Sequence, residues 1–96
     1  MKYTYLWYVK MSTEALKKNI ADGKYYSNWA AKAKEVCVKN KEKLLFTGNP
    51  YGTVEQIVVA VESDKPLDEF SKLTSALYQI DPIMPKYANT ETIMLG

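Results

Sequence analysis

Residues 3–9, Tyr-Thr-Tyr-Leu-Trp-Tyr-Val, put apolar or aromatic bulk on both faces of one predicted strand. Odd positions give Tyr3, Tyr5, Trp7 and Val9; even positions add Leu6 and Tyr8. Side chains alternate between the faces of a strand, so a strand with one wet face alternates with polar residues. This one does not alternate cleanly, and the pattern predicts cover on both sides. The same double-sidedness returns in a second predicted strand, Val54 to Glu62, with Ile57, Val59 and Val61 on one face and Val58 and Ala60 on the other.

Between these strands the period changes. Ser12 or Thr13 suits a helix N-cap, with Glu14 in the first turn and Leu16 and Ile20 four apart on one face. Asp22-Gly23 predicts the stop, with the glycine in the left-handed conformation. From Tyr25 to Asn40, the positions Tyr26, Trp29, Ala30, Ala33, Val36 and Cys37 recur at three and four, an amphipathic helix with Lys32, Lys34, Glu35 and Lys39 on its wet side. Lys43 to Thr47 reads as a strand on Leu44, Leu45 and Phe46, and Gly48-Asn49-Pro50-Tyr51-Gly52 as the turn of a hairpin.

Beyond the hairpin, Ser63 or Asp64 predicts a second capped start, with Pro66 in the first turn and Asp68 and Glu69 at the positive helix end. The buried stripe is Leu67, Phe70, Leu73, Thr74, Leu77 and Tyr78. Asp81-Pro82 and Pro85 predict an extended connector, and Thr92 to Leu95 a last short strand. The order is β-α-(α)-β-β-α-β in a single domain, residues 1–96. It predicts an α+β fold with an antiparallel sheet, helices on one face and a second subunit on the other.

Composition narrows the chemistry. The chain has no histidine, and all thirteen basic residues are lysines. That removes the usual general base near neutral pH, the Ser-His and Cys-His nucleophile pairs and the commonest transition-metal ligand. Without arginine there is no bidentate fork for phosphate or guanine. Residues 1–43 hold ten Lys against four acids, whereas residues 44–96 hold three Lys against seven acids; the asymmetry reads as lysine on the solvated faces of the first helices, with steering of a charged partner or pairing of opposite ends as the alternatives. One cysteine, Cys37, rules out an internal disulfide or a Cys-rich zinc site. No metal or cofactor is expected. No apolar run reaches the length of a membrane span, and the aromatic start does not read as a signal peptide, so a cytoplasmic protein with no membrane partner is expected.

The split order and two-sided strands resemble the dimeric α/β-barrel superfamily of ferredoxin-like folds. That group includes antibiotic-biosynthesis monooxygenases, EthD-like proteins and stress-responsive A/B-barrel proteins. The residues carrying the likeness are the opening strand Tyr3 to Val9, the hairpin Leu44 to Glu62 and the helix Ser63 to Tyr78. The resemblance implies a homodimer with sheets packed face to face. For an enzyme it implies a cofactor-independent oxygenase or isomerase-like reaction, with Tyr and Asn orienting the substrate and a lone carboxylate as base. Histidine-dependent members lend this chain no catalysis.

Tyr5, Trp7, Tyr26 and Trp29 form the candidate pocket for a flat hydrophobic molecule, with Asn49 and Tyr51 at its mouth on the turn. Ordinary core packing competes for the first four, and a plain hairpin connection for the last two. Cys37 on an apolar stripe reads as a small buried hydrophobe despite Lys34 and Lys41 nearby. The acids Glu55, Glu62, Asp64, Asp68 and Glu69 read as solvated or helix-start residues. Nucleic acid is not expected, since the strand from Glu55 to Val61 lacks the aromatics of an RNA-recognition sheet. The expected role is therefore binding, with transformation as an extension, of a small hydrophobic or aromatic molecule between sheet and helices. The alternative is a non-catalytic homo-oligomeric interaction or regulatory module.

Overall fold

The computed structural model describes residues 2–94. In chain order its elements are β1 (Tyr3–Met11), α1 (Thr13–Ala21), α2 (Tyr25–Lys39), β2 (Lys43–Gly48), β3 (Ile57–Ser63), α3 (Leu67–Tyr78) and β4 (Pro85–Met94). The four strands form one open sheet in the order β2-β3-β1-β4, and every neighbouring pair is antiparallel. This α+β layout is compatible with a ferredoxin-like fold.

Register sets what each face carries. Tyr5 pairs with Val61 and Thr92, Trp7 with Val59 and Thr90, and Val9 with Ile57 and Ala88. The odd residues of β1 and β3 therefore share one face, and the helices lie on it. Tyr5 stacks on Phe70 of α3, while Trp7 meets Trp29 of α2 and Tyr78 of α3. Ala33 and Cys37 of α2 and Leu73 and Leu77 of α3 complete this core, each 3% exposed or less. α1 joins it through Ala15.

Ser12 is the N-cap of α1: its Oγ accepts from the Ala15 N–H at 3.1 Å. Several sequence expectations need correction. Ile20 does not share a buried face with Leu16; it is 85% exposed, because the short α1 has run clear of its neighbours by then. Gly23 is not left-handed, and the turn after α1 is held by Asp22, whose Oδ1 accepts from the Lys24 N–H at 3.0 Å. β3 starts at Ile57 and not Val54, so residues 49–56 all belong to the loop, where Gly52 supplies the positive φ of 78°.

The start of α3 also differs. Neither Ser63 nor Asp64 caps it; the N-cap is Pro66, and Leu67, expected in the stripe, is 53% exposed. Ser63 is committed to the ladder opposite Tyr3, and its Oγ accepts from the Lys65 N–H instead. The last strand is longer than expected. Pro85 opens it, a position where a missing N–H costs nothing, and β4 then accompanies the whole of β1. Leu95, the expected end of that strand, lies outside the described residues.

Candidate functional site

The aromatic quartet is built as packing. Tyr5 and Trp7 are each 1% exposed and Trp29 is 4% exposed. The Tyr5 and Phe70 ring centroids are 3.9 Å apart, those of Trp7 and Trp29 6.2 Å, and Tyr78 sets its edge to Trp7 at 5.7 Å. Each ring fills the space beside the next. Tyr26 is half-buried against the same core. The hydroxyl of Tyr26 and the indole N–H of Trp29 are buried and have no hydrogen-bond partner among the described residues. Buried donors are nearly always paired, so both mark polar positions that a further group would satisfy.

Asn49 and Tyr51 stand apart from the quartet's packing. The Asn49 side-chain amide donates to the Gln56 carbonyl at 3.0 Å and so closes the loop mouth, while Tyr51 projects fully into solvent. The two share polar, loop-compatible chemistry with a pocket mouth, but the fold uses Asn49 to hold the hairpin.

Trp29 instead borders an open cleft of about 220 Å³ with Asp22, Tyr25, Asn28, Lys32, Ile80 and Asp81. Here the Tyr25 hydroxyl donates to Asp81 Oδ2 at 2.5 Å, and Asp81 Oδ1 accepts from the Ile83 N–H at 3.2 Å. The Tyr25 bond holds the Asp81 carboxyl below the usual range against the opposing effect of burial; the Ile83 N–H, Lys18 and Lys32 act in the same direction as Tyr25. Burial, then the Asp81 carboxylate, pushes the Tyr25 phenol far up. The sequence offered no signal for this pair, whose members are 56 residues apart.

A second polar cluster sits at the other end of α2. Glu42 follows that helix and its side chain is only 3% exposed. Glu42 Oε1 lies 3.2 Å from the Lys65 ammonium, while Oε2 is buried without a partner. Lys65 Nζ also donates to the Asn40 carbonyl at 3.3 Å, and the Lys65 carbonyl accepts from the Tyr5 hydroxyl at 2.6 Å. Burial pushes the Cys37 thiol up to about 11, with the Glu42 charge adding to it. A lone acid directly after a helix that ends without glycine is the sequence signal for Glu42.

The second sheet face carries no helix. Pairing places Leu6 beside Ala60 and Glu91, Tyr8 beside Val58 and Asn89, and Phe46 beside Ala60 on this face. Phe46 is 54% and Ile93 44% exposed, whereas Ala60 is covered by its larger neighbours. No helix among the described residues is long and apolar enough to cross a membrane. No protein-family model matches the chain, and no curated protein matches it either.

Proposed function

We propose that this chain is a self-pairing ferredoxin-like module, in which two copies lay their helix-free sheet faces together as a dimeric α/β barrel. The observation that carries the reading is the relief of that face. Leu6 and Tyr8 make a ridge on β1, and Ala60 and Val58 make the furrow beside it on β3. An isologous contact needs a self-complementary patch. A two-fold axis along the strands, between β3 and β1, sets each ridge over the opposite furrow. The same axis carries Lys43 and Phe46 of β2 over the β4 edge of the other copy, Lys43 level with Ile93 and Phe46 level with Glu91. Phe46 and Ile93, 54% and 44% exposed, are thereby covered, which argues for a second copy as the occupant.

Light scattering on a size-exclusion column tests this. Twice the chain mass of 11.0 kDa is expected, and Ala60→Glu, which plants a charge in the furrow, is expected to give a folded monomer. A monomeric wild-type protein at high micromolar concentration overturns the reading.

A second reading keeps a small hydrophobic or aromatic ligand, and moves it from the filled quartet to the cleft beside Trp29. The unpartnered Trp29 N–H favours it, because a ligand acceptor would satisfy that group. Titration of a Trp7→Phe variant, which leaves Trp29 as the only indole, against small aromatic compounds is expected to show saturable fluorescence changes. A flat response across the set removes this reading.

A further inference from the structure

The end of α2 departs from local rules at two adjacent residues. The Lys41 N–H donates to the Val38 carbonyl at 3.1 Å and the Glu42 N–H to the Cys37 carbonyl at 2.9 Å. That pair of bonds is a Schellman motif, which places glycine at the left-handed residue and an apolar side chain directly after it, packed on the last turn. Here the left-handed residue is Lys41, with φ 58°, and the following residue is Glu42, buried against Cys37. A left-handed lysine carries a steric cost that glycine does not, and burying an ion pair is commonly no better than burying an apolar side chain of the same volume. Neither choice favours stability. Sites where local rules are broken without a structural gain are where function is expected.

The surroundings specify what would satisfy Glu42. One carboxylate oxygen is held by Lys65 and the other is an unengaged buried acceptor. Glu42 lines a cleft of about 210 Å³, equal to roughly seven waters at about 30 Å³ each. Lys41 and Lys43 line the same cleft, are exposed, and form no ion pair among the described residues. Lys2 is engaged with Glu62 at 3.1 Å. The cleft therefore offers two free ammonium groups, and Glu42 in its wall holds a carboxylate oxygen that is closed to solvent and has no partner among the described residues.

We propose that Glu42 is the buried acceptor of a small-molecule site that takes a carboxylate with an amine or hydroxyl beside it. The ligand carboxylate lies against Lys41 and Lys43, and its neighbouring O–H or N–H donates to Glu42 Oε2, which a turn of the Glu42 carboxylate brings to the cleft. Lys65 holds Glu42 Oε1 in place at 3.2 Å; its own backbone is fixed by the Tyr5 and Ser63 hydrogen bonds. The site is separate from the cleft beside Trp29 and shares Lys43 with the proposed subunit face, so the oligomeric state is measured alongside the titration to tell the two apart.

The test is amide NMR on the ¹⁵N-labelled full chain titrated with glycolate, glycerate and serine, with acetate as the donor-free control. At least one of the first three is expected to shift the amides of Lys41, Glu42, Lys43, Ser63 and Asp64 saturably, and acetate to bind more weakly. Glu42→Gln is expected to bind about tenfold more weakly, the equivalent of one charge-assisted hydrogen bond. Glu42→Leu, which restores the apolar residue of the motif, is expected to fold, to lose binding and to melt no lower than wild type. No shift with any of the three, acetate binding equally well, or unchanged affinity in Glu42→Gln overturns the proposal. A Glu42→Leu protein that melts well below wild type also overturns it, by showing that the carboxylate is there for the fold.

Discussion

Tyr25 and Asp81 are joined by a hydrogen bond of 2.5 Å, the phenol donating to Oδ2, which fastens the first turn of α2 to the segment leading into β4. The contact is long-range and closes the helical layer over the β1 end of the core. Asp81 also accepts the Ile83 N–H, so one carboxylate orders the start of the final strand.

This pair should make stability depend on pH at both ends. The folded state holds the Asp81 carboxyl below its unfolded value of 3.8. Its contribution is complete above that pH and is lost as pH falls through the lower folded value. The Tyr25 phenol is raised from 10.0, so its share is present below that pH and is lost as pH rises. Tyr25→Phe is expected to cost about 1–2 kcal/mol at pH 7 and to flatten both slopes. Urea melts of wild type, Tyr25→Phe and Asp81→Asn between pH 2 and 7, and again between pH 9 and 12, measure this. An acid slope that survives in both variants would assign the effect to other carboxylates.

The stack of Tyr5 on Phe70 couples the sheet to α3, and removing it should be severe. Phe70→Ala is expected to cost about 3–5 kcal/mol, a large share of the 5–15 kcal/mol typical of a domain. Tyr5→Phe keeps the stack and loses only the bond to the Lys65 carbonyl, so about 1 kcal/mol is expected. Denaturant midpoints for the two variants should fall in that order; a larger effect for Tyr5→Phe contradicts the packing account.

Lys41→Gly should stabilise the protein. Glycine accepts the left-handed conformation without the steric cost that lysine carries, and a gain of about 1 kcal/mol is expected. The readout is a rise in melting temperature with unchanged spectra. A fall would mean that the lysine side chain contributes contacts beyond its backbone.

Cys37 should be inert while the protein is folded. Its side chain is fully buried and its thiol is raised from 9.0 to about 11, so at pH 8 the thiolate population falls about a hundred-fold before access is counted. Modification by a thiol reagent is expected to follow unfolding, accelerating across the denaturation midpoint. Fast native labelling would show that the end of α2 opens readily.

The chain's own pattern determined the element types and most of the core. Trp29, Ala33 and Cys37 of α2 and Phe70, Leu73 and Leu77 of α3 were legible because helix burial repeats at three and four residues. The opening strand was legible because apolar bulk runs from Tyr3 to Val9, and its odd face, Tyr5, Trp7 and Val9, lies under the helices. Element ends were less legible: Ser63 looked like a cap until its pairing with Tyr3 was known, and β4 looked short because an edge strand carries Lys86, Asn89, Thr90 and Glu91.

Only tertiary structure decided what the residues do. Tyr5 and Trp7 were chosen for a pocket, yet each faces a ring supplied by a helix far along the chain, and aromatic side chains pack as readily as they bind. Tyr25 with Asp81 and Glu42 with Lys65 come from segments remote in sequence, so no spacing announces them. Periodicity is a local property and fixes which face of an element is dry. Which polar groups meet on the remaining faces depends on the register and crossing of those elements, and that is set only when the chain closes on itself.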